Sequence, residues 1–148
     1  MSSSDVQDGE AKRNIIKLTE ALLDAITYGD YATYTKLCDP RMTCFEPEAF
    51  GNLIEGLEFH KFYFDNSPAT SRQSKTVRTT LLNPYVQMLG DDAAFIAYVR
   101  LTQFIDKNND AHSRQCEETR VWNRRDANSQ WQCVHFHRSG SPSSVIAK

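Results

Sequence analysis

From residue 76 onward the chain alternates apolar and polar side chains, and this period of two constrains the fold more than any other feature. Residues 76–82, 85–89, 93–105, 112–124 and 130–138 read as strands. Turn chemistry separates them: Asn83-Pro84, Gly90-Asp91-Asp92, DKNND at 106–110 and RDANS at 125–129. The last three strands are long and joined by short turns, which predicts an antiparallel meander.

The first half has a different rhythm. Ile15, Thr19, Leu22, Leu23 and Ile26 fall on one helical stripe, while Lys17, Glu20 and Asp24 face away. Gly29 ends this helix, and Asp30 caps a short second one bearing Tyr31, Tyr34 and Leu37, which Pro40 stops. Residues 42–45 form a short strand candidate, and 55–65 (EGLEFHKFYFD) an aromatic third helix. Helices first and strands later define an α+β domain. Residues 1–12 read as a disordered leader or linker remnant, 13–144 as one domain with a polar loop at 67–74, and 145–148 as a loose tail.

Composition narrows the function. A net charge of -2 gives no field that would draw nucleic acid or an acidic membrane surface. No apolar run approaches the roughly 20 residues of a membrane helix, so a cytoplasmic location is expected and membrane insertion is not. Cys38, Cys44, Cys116 and Cys133 form no CxxC pair and sit among apolar neighbours, as buried free thiols would.

Strand parity brings three arginines onto one face. Arg100 shares its face with Ile96, Tyr98 and Phe104, Arg120 with Cys116, Glu118 and Trp122, and Arg138 with Val134 and Phe136. Hairpins centred on Asn108 and Ala127 would set Arg100 opposite Cys116, and Cys116 opposite Arg138. Buried guanidiniums need partners. Either the cluster takes an anion, for which the planar arginine fork suits a carboxylate, or each arginine pairs with a nearby Glu46, Glu117 or Glu118.

Other chemistry is thinner. His135 and His137 project from one strand face in a metal-binding spacing, but no third ligand is evident, and they lie opposite Phe136 and Arg138. His60 on the aromatic helix is a packed core residue or a general base. There is no GxSxG, no P-loop and no kinase signature, so no catalytic residues, metal ligands or cofactor are assigned.

Several long stretches carry a resemblance. FEPEAFGNLIEGLEFHKFYFDN at 45–66, TTLLNPYVQMLGDDAAFIAYVRLTQ at 79–103, EETRVWNRRD at 117–126 and VHFHRSGSPS at 134–143 closely resemble the association (hub) domain of calcium/calmodulin-dependent protein kinase type II. The resemblance implies a cone-shaped nuclear transport factor 2-like (SnoaL-like) fold, with a long N-terminal helix on a strongly curved antiparallel sheet. It implies an oligomerisation hub without a kinase domain. Such hubs assemble two stacked rings, as a dodecamer or tetradecamer, and bring kinase domains together at raised effective concentration. It also implies a pocket for small carboxylates or for linker or regulatory peptide segments. Its arginines match Arg100 in AYVR, Arg120 in EETR and Arg138 in HFHR, and its histidine matches His60 in EFHKFYF. A small cone-fold enzyme, an isomerase or cyclase using the same pocket, is the alternative on this fold.

Overall fold

The computed structural model describes residues 3–66 and 77–141. The 67–74 loop and the 145–148 tail lie outside them. Three helices, α1 (Ser3–Thr27), α2 (Tyr31–Leu37) and α3 (Glu58–Asn66), accompany six strands: β1 (Cys38–Phe45), β2 (Ile54–Glu55), β3 (Val77–Met88), β4 (Ala93–Ile105), β5 (Ala111–Asn123) and β6 (Gln132–Arg138). The strands form one curved sheet in the order β2-β1-β6-β5-β4-β3.

The helical stripe packs as its spacing requires. Ile15, Thr19, Leu22 and Leu23 are buried and Ile26 is half-buried, against a sheet face carrying Val86, Ala94, Ile96 and Trp122. The two buried threonines of α1 return their hydroxyls to its own backbone, Thr19 Oγ1 to Ile15 O and Thr27 Oγ1 to Leu23 O, both at 2.8 Å. That satisfies polar groups that burial would otherwise penalise. Gly29 (φ 71°) ends α1 in the left-handed region, and Asp30 caps α2 by accepting from Thr33 N at 3.1 Å.

Several expectations are corrected. Helix α1 starts at Ser3, where a disordered leader was expected. Its first turns are exposed and rest on no core. They propagate from the packed segment at one backbone bond per residue, with an Asp8–Lys12 pair at 3.0 Å. Residues 76–82 and 85–89 are not two strands: β3 runs unbroken through Asn83-Pro84. The register shift between Leu82 and Tyr85, with Asn83 at φ 52°, lets a residue without an N–H sit within a strand. Strand β1 is longer than 42–45 and absorbs Pro40 at its own register shift. Helix α3 starts at Glu58 because Ile54 and Glu55 pair with β1. The sheet is antiparallel except where β1 runs parallel to β6.

The register places the arginines. Arg100 lies opposite Cys116, as the hairpin centre at Asn108 required. Arg138 lies opposite Glu118, not Cys116. The turn between β5 and β6 is centred half a residue late, and a bulge between Val121 and Trp122 adds another half step. Each half step of the centre moves the pairing by one residue, so Arg138 shifts by two residues and the facing is preserved.

Candidate functional site

Parity on β4, β5 and β6 turns Tyr98, Arg100, Glu118, Arg120, Phe136 and Arg138 to one side of the sheet. The central group is Glu118, whose side chain is wholly buried. It accepts from Arg100 Nη1 at 2.8 Å, from Arg120 Nη2 at 3.4 Å and from the Tyr98 hydroxyl. Arg120 is 1% exposed. Its Nε donates to Tyr98 Oη at 2.9 Å, and its guanidinium lies 4.3 Å over the Phe136 ring. Burial by itself would raise the Glu118 carboxyl, but Arg100 and Arg120 more than offset it and hold it down at about 2. Burial likewise pushes the Tyr98 hydroxyl up, leaving it the donor to Glu118.

A second acidic group meets Arg138. Its Nη2 donates to Glu46 Oε2 at 3.3 Å and to Glu48 Oε1, while its Nε stands 3.9 Å from Glu118 Oε2. The other Glu46 oxygen meets His60 Nε2 at 2.7 Å. Burial would raise the Glu46 carboxyl, and the His60 hydrogen bond and Arg138 pull it below its ordinary value. Glu48 stands on a 3-10 turn, Pro47–Ala49, closed by Phe50 in the left-handed region at φ 52°. His60 is packed among Tyr34, Phe59 and Phe136.

The four residues singled out in the sequence fall in two hydrogen-bonded groups, Arg100 and Arg120 around Glu118 and Arg138 and His60 around Glu46, joined by the 3.9 Å ion contact of Arg138 with Glu118. Of the glutamates weighed as their partners, Glu118 and Glu46 serve, whereas Glu117 points elsewhere and accepts from Ser139 Oγ at 3.0 Å. Glu48 was missed, since a loop carries no periodicity to place it. The joint role of Tyr98 was also missed, although it shares parity with Arg100.

Two polar atoms of the network are buried and have no hydrogen-bond partner among the described residues: Arg100 Nε and His60 Nδ1. Buried polar atoms are ordinarily satisfied by protein groups, ordered water or a bound group, so these two mark the open positions of the candidate site. A metal is not its obvious occupant. Cys44 Sγ, Glu46 Oε1 and His60 Nε2 lie within 4.8 Å of one another. However, the nitrogen and the oxygen already bond each other, Arg138 holds the second carboxylate oxygen, and burial pushes the thiol up, away from the thiolate that binds metal. His135 and His137 are on the other face, where His135 Nδ1 meets Thr43 Oγ1 at 2.8 Å and both rings pack on Phe45.

A helix lying on a curved sheet whose interior face is polar at one end defines the nuclear transport factor 2-like class. A bacterial member of that superfamily, from Salmonella enterica, superposes with a TM-score of 0.66 at 19% identity over 95% of this chain and 98% of its own. The likeness is closer still to a narrower group. Residues 11–142 match the family model described as calcium/calmodulin dependent protein kinase II association domain, and the chain belongs to that family. The association domain of the Caenorhabditis elegans kinase superposes with a TM-score of 0.82 at 53% identity, covering 90% of this chain and 98% of that one. The Drosophila melanogaster kinase type II alpha chain is 58% identical over 130 residues, 88% of this chain and 24% of its own length. The chain spans about a quarter of the length of the curated relatives it matches. The match is to an association domain, with no kinase domain in it.

Proposed function

We propose that the chain is the oligomerisation hub of a calcium/calmodulin-dependent protein kinase type II, or a stand-alone homologue. In this reading it assembles as two stacked rings of six or seven copies each and gathers the parent's kinase domains. The observation that carries the reading is the family match, which runs through nearly every element of the fold. The surface supports it: Phe50 (79% exposed), Tyr85, Phe62, Tyr28 and Leu89 are large apolar side chains left open on a single protomer, as subunit interfaces require. Four free cysteines fit a reducing compartment, the cytoplasm. No helix among the described residues is long and apolar enough to cross a membrane.

The arginine network is, in the same reading, a pocket for small carboxylates or acidic peptide segments. The unpartnered Arg100 Nε supports it, because a buried guanidinium N–H seeks an acceptor. Light scattering and native mass spectrometry test the assembly. Twelve or fourteen chains of 16.9 kDa give species of about 203 or 237 kDa. A monomer or dimer at micromolar concentration overturns the hub reading. Calorimetric titration with gamma-hydroxybutyrate tests the pocket.

A further inference from the structure

Strand β4 is apolar on both of its faces. Its inward residues Ala94, Ile96 and Tyr98 are buried in the core, yet the alternate residues Phe95, Ala97, Val99 and Leu101 are apolar too. A strand with one solvated face carries polar residues there, and a strand covered on both sides does not. The helices all pack on the inward side. α1 lies against Val86 and Ile96, while Tyr34 of α2 packs on His60 and Phe64 of α3, and His60 on Phe136. The outward residues of β4 are left half-buried, with none of the three helices over them.

The register extends this patch across the sheet. Phe95 pairs with Val121, and Val121 with His135; Ala97 pairs with Tyr85 and with Thr119, and Thr119 with His137. On β1, Thr43 adjoins His135 and Phe45 adjoins His137. From β3 to β1 these two rows carry no lysine, arginine, aspartate or glutamate. The charged groups that flank them on this side are Glu117, which accepts from Ser139, and Glu55 of β2, opposite Thr43. Loss of charge marks the centre of a protein interface. A second copy of the chain fits it, because a two-fold contact sets a patch against itself, and only an uncharged patch does so without repulsion.

Two groups within the rows can acquire charge. His135 bonds Thr43 through Nδ1, and both histidine rings pack on Phe45. Burial, and then the neighbouring His137, holds His135 below the ordinary histidine value, so the face accommodates the neutral ring.

Building on the hub reading, we propose that copies pair face to face through the outward side of the sheet, and that His135 and His137 make this contact loosen on acidification. Pairing brings the histidines of both copies into one desolvated layer. Free protomers take up protons as pH falls through the ordinary histidine value, about 6.5, and paired ones resist it. Affinity is therefore full above that value and declines below it.

The test follows the mass of the full chain by light scattering, and its dissociation on dilution by fluorescence anisotropy of labelled chain, from about pH 7.5 to about pH 5.5. Circular dichroism checks that each protein stays folded. Thr119→Lys places a cation at an exposed position in the middle of the patch and should leave no more than half the wild-type mass; Ala97→Lys reads the same contact from β4 if that variant misfolds. In wild type the chain concentration at half dissociation should rise by about tenfold or more at the lower pH, the share of one histidine whose protonation is blocked. The double variant His135→Gln/His137→Gln should lose that response, and His137→Gln alone should reduce it. Folded lysine variants that keep the full mass overturn the face-to-face pairing and leave the hub reading intact. A wild type insensitive to pH, or a double glutamine variant as sensitive as wild type, overturns the role of the histidines. A wild-type dimer that Thr119→Lys dissolves overturns the hub reading and keeps the pairing, whereas a wild-type monomer at the higher pH overturns both.

Discussion

Trp122 Nε1 donates to Thr19 Oγ1 at 3.1 Å, tying β5 to α1 across 103 residues of chain. Both residues are fully buried, and the same threonine hydroxyl donates a hydrogen bond to Ile15 O. The helix is therefore fixed over the sheet by a directional bond as well as by apolar packing.

Thr19→Val keeps the shape and removes the acceptor. The stranded indole N–H should cost about 1–3 kcal/mol in denaturant unfolding at fixed chain concentration. Trp122→Phe made in the Thr19→Val background should then add less than it does in wild type. Full additivity would show that the bond contributes nothing.

Two phenylalanines of α3 should respond in opposite ways. Phe64 is 7% exposed and packs on Tyr31 and Tyr34 at ring distances of 5.1 and 4.8 Å. Phe64→Asp buries an unpaired charge and should leave no folded protomer. Phe62 is 54% exposed, so Phe62→Asp should fold, and its effect should show instead in the mass of the assembly. Circular dichroism and light scattering separate the two effects.

The Glu118 carboxyl is held at about 2 when folded, below its ordinary value. A depressed carboxyl contributes stability that is present above the ordinary carboxylate range and lost as pH falls toward the folded value. Stability of the wild-type protein should therefore decline between about pH 5 and pH 2. In Glu118→Gln that part of the decline should vanish, while stability at pH 7 drops because Arg100 and Arg120 lose their counter-charge. Unfolding curves across this range give both quantities.

Arg120 and Arg100 differ in what they hold. Arg120 is fully buried between Glu118, Tyr98 and Phe136, so Arg120→Ala should cost about 3–5 kcal/mol of stability. Arg100 keeps 17% of its side chain exposed and has an unpartnered Nε. Arg100→Gln should fold, and should weaken carboxylate binding by about tenfold or more in calorimetry. A normal melting temperature for Arg120→Ala would contradict its structural role.

Much of this was readable in the sequence because alternation is a strong signal in long strands. β4 spans 93–105 as its pattern required, and the Arg100–Cys116 pairing followed from a symmetrical turn. The position of Arg138 was two residues off, one from the turn between β5 and β6 and one from a bulge at Val121 and Trp122, neither of which leaves a mark in hydropathy. The parallel pairing of β1 with β6 is a contact between distant segments, which local pattern does not encode. At the site, the strand-borne arginines were visible by parity and His60 by the resemblance. Glu48 was not, since a three-residue turn orients its side chain by backbone dihedrals alone.

The parallel pairing also sets an order of events during synthesis. Strand β1 has β2 on one side and β6 on the other. Cys44 finds its partner in Phe136, so the first strand waits for the last. Until β6 has cleared the ribosome, one margin of β1 stays unsatisfied, and Glu46 and Glu48 have no arginine from β6 to meet. Long-range closure of this kind is slow, and the nascent chain carries an open strand edge throughout the delay. Until the final strand docks, that edge of β1 is open to pairing with any other extended chain.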